Sequence, residues 1–130
     1  MSKAKDNSMD FHGMEVEVGE LAFKEDGTST VTQITTRATA VTLNKPFGQI
    51  TTDDTSLAAG AEAVFVVNNS TVGAKSVPVV APASGQTAGT SIAVVTAVAA
   101  GQFSITLTNI HASTADTGAM VINFFVVNAV

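Results

Sequence analysis

Chemistry near neutral pH needs groups that change charge or attack, and this chain has few. His12 and His111 are its only imidazoles, and it contains no cysteine. Imidazole is the side chain whose ordinary pKa lies near neutrality, so a search for a general base starts from these two. His111 could join Ser104 or Ser113 and Asp116 in a Ser-His-Asp arrangement. Nothing in their spacing fixes that geometry, and Ser113 falls in a segment that reads as a loop. An exposed loop histidine is the plainer reading. Asp53-Asp54 could be paired carboxylates or cation ligands, but Thr51, Thr52 and Thr55 around them look like a turn in which Asp caps its own amides. Asp10, His12 and Glu15 are possible ligands for a hard cation. They are scattered along an acidic stretch that reads as solvated.

Gly85-Gln86-Thr87-Ala88-Gly89 has no following Lys-Ser/Thr pair and no strand-to-helix switch, so it is not a phosphate loop. No catalytic, cofactor or metal site is therefore assigned, and the chain is not expected to be an enzyme. Phe124-Phe125 is the remaining feature of interest. Successive residues of a strand face opposite ways, so one ring belongs to the core. The other is the leading candidate for a subunit interface, together with Val127.

The elements that position these residues read as strands. Val, Ile and Thr number 18, 6 and 18 of 130 residues, whereas Leu occurs four times. β-Branched residues suit the pleated surface of a sheet. Strands are expected at Thr30 to Thr36, Ala38 to Leu43, Gly48 to Thr52 and Glu62 to Asn68. Four more are expected at Ser76 to Ala81, Ser91 to Ala99, Gln102 to Asn109 and Ala119 to Val127. Pro78 marks the fifth as an edge strand or a bulge. Gln102 to Asn109 alternates cleanly, with Phe103, Ile105 and Leu107 on one face and Ser104, Thr106 and Thr108 on the other. The last strand is apolar on both faces, which implies burial on both, one of them by another chain. Thr55 to Ala63 is the only stretch with a helical signal, about one turn. Pro82 to Gly89 and His111 to Gly118 read as loops. About eight strands with turns between them predict a single all-β domain, a β-sandwich or jelly roll, over residues 30–130.

Charge divides the chain at the same place. Residues 1–30 carry three lysines against seven carboxylates, and the rest carries three basic residues against four acidic ones. Residues 1–29 read as an extended acidic arm whose apolar groups are Met9, Phe11, Met14, Val16, Val18, Leu21 and Phe23. Such a segment cannot bury enough surface alone to offset its ordering entropy, so it needs the domain or a partner. The net charge of −5 speaks against nucleic acid as a partner. The longest apolar runs are too short for a membrane-spanning helix. No signal-peptide pattern is evident, and secretion is not expected.

The run from Val31 to Lys45, Val-Thr-Gln-Ile-Thr-Thr-Arg-Ala-Thr-Ala-Val-Thr-Leu-Asn-Lys, resembles the opening of a family of small phage structural proteins. Similar features follow at Gly48 to Thr51, Leu57 to Ala61, Val98 to Ile105, Thr108 to Ile110 and Val121 to Phe124, so the likeness spans about residues 31–128. Val-Thr-Leu-Asn-Lys and Val-Ile-Asn-Phe are its most specific parts. The resemblance implies a decoration (cement) protein on the outer surface of the virion head, often trimeric, with the major capsid protein as partner. It also admits a head-fibre, spike or tail-associated module that contacts the host surface. It implies no catalytic residues and no cofactor.

Overall fold

Alternation of apolar and polar residues decides which face of each strand turns inward, and burial in the structure follows it. The computed structural model describes residues 22–129. Eight strands follow in chain order: β1 (Thr30–Thr32), β2 (Val41–Thr42), β3 (Phe47–Thr51), β4 (Glu62–Asn68), β5 (Val77–Ser84), β6 (Ser91–Ala99), β7 (Gln102–Asn109) and β8 (Val121–Val127). They form two four-stranded sheets, ordered β1-β3-β8-β5 and β2-β4-β7-β6. Both sheets are mixed. β1 runs parallel to β3 and β2 parallel to β4, while the other neighbours are antiparallel. The fold is the all-β sandwich; the parallel pairs set it apart from an antiparallel jelly roll.

The core lies between the sheets. Ile50, Ile122, Phe124 and Val126 from the first sheet meet Val41, Phe65, Val67, Phe103, Ile105 and Leu107 from the second. The Phe103 and Phe124 rings lie 5.7 Å apart and tilted, a favourable aromatic arrangement across the sheets. Gly48 makes room for this packing. A Cβ there would stand 2.6 Å from Leu43 Cδ2 and 3.0 Å from Phe124 Cε1.

β4, β6 and β7 occupy the ranges read from the sequence, because each is a β-branched run bounded by explicit turns. β1 and β2 are shorter than expected. Between them Gln33 and Arg37 turn inward and bond loop carbonyls, so the backbone leaves the ladder. β5 runs three residues into the expected loop, through a bulge between Pro82 and Ser84, and it is an edge strand as Pro78 indicated. The helical turn expected in Thr55 to Ala63 is absent. Leu57 instead exchanges both backbone hydrogen bonds with Asp116, at 2.9 Å each, and its side chain is buried in the core. One isolated helical turn fixes many dihedrals for one hydrogen bond, and this bridge competes with it successfully.

Candidate functional site

The outer face of the β1-β3-β8-β5 sheet carries the most distinctive surface. Residues opposite each other in a sheet share a face. Phe47 pairs with Phe125, which pairs with Val79; Thr30, Gln49, Asn123 and Ala81 form the next row across all four strands. Over the first row lies Phe23, its ring stacked on Phe47 at 4.9 Å and 19° and set 6.0 Å from Phe125. The result is a groove of about 490 Å³ walled by Phe23, Phe47, Val79, Phe125 and the Gln49–Asn123 row. Its central polar groups bond each other once, Gln49 Nε2 donating to Asn123 Oδ1 at 2.9 Å. Among the described residues Glu25 is the only charged one on its wall. This is a largely apolar surface on which no catalytic groups converge among the described residues.

Phe23 reaches the groove because residues 24–29 fold back along the sheet. Ser29 is buried and its carbonyl accepts from Gln49 N at 2.8 Å. Asp26 and Lys45 form an ion pair at 2.8 Å. The Lys45 ammonium, then the Thr28 hydroxyl and amide, hold the Asp26 carboxyl far below its ordinary range. Phe23, expected among the apolar groups of the capsid-docking arm, rests on its own domain while staying 46% exposed. Met9, Phe11, Met14, Val16, Val18 and Leu21, and the Asp10, His12 and Glu15 trio, lie outside the described residues.

The Phe124-Phe125 pair splits as strand geometry requires. Phe124 is 4% exposed and belongs to the core, so it has little surface for a partner subunit; it leaves the interface set because its inward position on β8 faces Phe103. Phe125 is 38% and Val127 52% exposed on the outer face. Val127 pairs in register with Val77, which is also exposed. Phe47 and Val79 were not singled out in the sequence. Their signal was present: with Gly48 and Ile50 facing in, Phe47 and Gln49 must face out. Which strand stands beside them was not readable.

The remaining candidates resolve into structural roles. His111 Nδ1 accepts the amides of Ser113 at 3.1 Å and Thr114 at 2.9 Å. The nitrogen that a triad would turn toward a carboxylate is therefore occupied by a turn. Asp53 accepts the Thr55 hydroxyl and, at 2.8 Å, the Thr55 amide, which in that order hold its carboxyl below the ordinary range. Asp116 is fully buried and faces Arg37, with Arg37 Nη1 3.8 Å from Asp116 Oδ2. Arg37 also donates to the carbonyls of Gly118 at 2.8 Å, Asp116 at 3.2 Å and Thr55. Asp116 Oδ1 accepts the Thr87 amide at 2.8 Å and the Gly118 amide at 3.1 Å. Burial pushes the Asp116 carboxyl up. The nearby Ser91 hydroxyl, these amides and the Arg37 charge outweigh burial and hold it below the ordinary range. Neither Ser91 Oγ nor Asp116 Oδ2 completes a hydrogen bond of normal geometry. Sequence reading missed this cluster, because 79 positions separate the partners.

Among the described residues no group of three or more His, Asp or Glu stands close enough to hold a metal ion. Comparison of the chain with protein-family models, curated proteins and solved structures finds no match.

Proposed function

We propose that the chain is a structural protein of a phage virion, a decoration protein that binds the outer surface of the head and braces contacts between capsid subunits. The observation that carries this reading is the aromatic groove at the root of the acidic N-terminal segment. The exposed chemistry of the domain is apolar surface, suited to contact rather than to turnover. The resemblance over residues 31–128 supports the virion setting and a trimer. In that trimer the open Val77–Val127 pair, beside Phe125, serves as the subunit contact. Residues 1–21 reach the major capsid protein. Three such segments on one trimer raise the effective concentration of individually weak contacts.

The test is deletion of residues 1–21, which leaves Phe23 and the Asp26–Lys45 pair in place. The truncated protein is expected to keep its β-sheet circular dichroism and its melting transition. It is also expected to lose binding to heads that lack the decoration. Equal retention on heads in a co-sedimentation assay would sink the docking role. Labelling confined to tails or sparse fibres in electron micrographs would instead favour a fibre or tail-associated module.

A further inference from the structure

We infer that the open half of β6, Ser91 to Val95, pairs antiparallel with the same segment of a second copy of this chain, about a twofold axis at Ala93. An edge strand offers unpaired backbone donors and acceptors to any other strand, and proteins blunt such edges with short strands, proline or charge. Among the described residues four strands lie at sheet edges, and three of them are blunted. β1 and β2 have three and two residues. β5 contains Pro78 and Pro82, which cannot donate. β6 has nine residues with neither proline nor charge. Its one guard is the bulge after Val95, which stops regular pairing there and leaves the five residues before it open.

The existing ladder fixes which groups are free. Along an antiparallel pair, opposite residues alternate between bonding each other and directing their backbone groups away. The Ile110 amide donates to the Thr90 carbonyl at 2.8 Å, while the Asn109 amide turns the other way, to the Ala61 carbonyl at 2.9 Å. Ile92 and Val94, opposite Thr108 and Thr106, therefore direct their backbone groups to β7. The amides and carbonyls of Ser91, Ala93 and Val95 point to the open edge.

These groups match a second copy. With Ala93 opposite its own copy, Ser91 falls opposite Val95, and the outward residues form bonded pairs with about six hydrogen bonds in all. Ile92 then falls opposite Val94 on the outer face, where both are exposed, and the β-branched side chains of the two copies pack side by side. Any other register leaves part of the open segment unpaired. A charge beside a twofold axis would meet its own like, but residues 76–115 contain no Lys, Arg, Asp or Glu. β5 lies against β6 from the other sheet, and its exposed Ala81, Pro82 and Ala83 put no bulky side chain beside the axis. The inference stands apart from the virion reading, whose subunit contact lies on the other sheet at Val77 and Val127.

The absence of cysteine makes the test direct. Ile92→Cys and Val94→Cys are made as separate variants of the full chain, both at exposed positions. Val64→Cys, exposed on the same sheet face but away from the edge, is the control. Each is oxidised alone at matched concentration in glutathione buffer, and Ile92→Cys is also oxidised mixed with Val94→Cys. Covalent dimer is read on non-reducing gels. Directly opposite Cβ atoms lie within disulfide reach and diagonal ones do not, so the mixture is expected to form dimer on the order of tenfold faster than any variant alone. A mixture no faster than Val64→Cys would overturn the inference. Equally fast dimers of Ile92→Cys or Val94→Cys alone would overturn it by moving the axis. Fast Val64→Cys dimers would overturn it too, by showing stacked faces instead of a continued sheet.

Discussion

Arg37 is the side chain on which the loop end of the sandwich depends. Its guanidinium ties three carbonyls and faces a buried carboxylate, so loops 33–39, 52–57 and 110–118 meet on one group. Removing one partner of a buried pair leaves the other charged and unpaired. Arg37→Met is therefore expected to cost about 3–5 kcal/mol, read from urea unfolding. The pH dependence follows from Asp116. Its folded pKa lies below its unfolded value, so its contribution is complete above the unfolded pKa and is lost as pH falls through the folded one. The urea midpoint is expected to hold down to the ordinary carboxylate range and fall below it, and Asp116→Asn is expected to flatten that fall. Gly85 gives a sharper test. Its φ is +92°, and a Cβ would stand 1.9 Å from the Ala119 carbonyl oxygen. Gly85→Ala is expected to cost at least about 1–3 kcal/mol from backbone strain, before the clash is added. A melting temperature equal to that of the parent would contradict the close approach of these two segments.

At the scale of the element, β8 is the informative strand. It sits between β3 and β5, and its two faces have separate tasks. Ile122, Phe124 and Val126 fill the core, while Asn123, Phe125 and Val127 build the outer surface. Adjacent phenylalanines thus give opposite expectations. Phe124→Ala is expected to lose about 3–5 kcal/mol through transfer and cavity terms. Phe125→Ala is expected to lose about 1 kcal/mol or less. Equal losses in urea unfolding would mean the face assignment is wrong. The alternation of β7 and the bounds of β4 and β6 were legible because each is a turn-bounded run whose pattern the sheet simply obeys. The ends of β1 and β2 were not, because Gln33 and Arg37 find their partners in distant loops.

Among the described residues, charge mostly lies off the strands, with Glu62 at the start of β4 the exception. Arg37 and Asp116 are buried, Lys45 is paired with Asp26, and Asp53 caps a turn. Both outer faces are left with β-branched and aromatic surface, including Val64, Ile92 and Val94 on the second sheet and Val77, Phe125 and Val127 on the first. Edge strand β6 carries no charged residue, and a bulge at Thr96 interrupts its register. Bulges of this kind discourage edge-to-edge pairing. If the proposed trimer is held by the Val77–Val127 pair, Val77→Ser with Val127→Ser is expected to shift the mass in sedimentation equilibrium from trimer toward monomer, with the circular dichroism unchanged. An unchanged trimer mass would move the interface elsewhere.

The sequence by itself determined the class of fold and most of its strands, because period-two alternation and β-branched content are local properties that any packing must satisfy. It also determined that one of two adjacent phenylalanines faces outward, and that charge concentrates before residue 30. Tertiary structure alone decided which one. It paired β3 with β8, drew Phe23 back onto Phe47 and assembled the Arg37–Asp116 cluster. Each joins residues far apart in the chain, and the energy of such contacts depends on which surfaces meet, which no local pattern encodes.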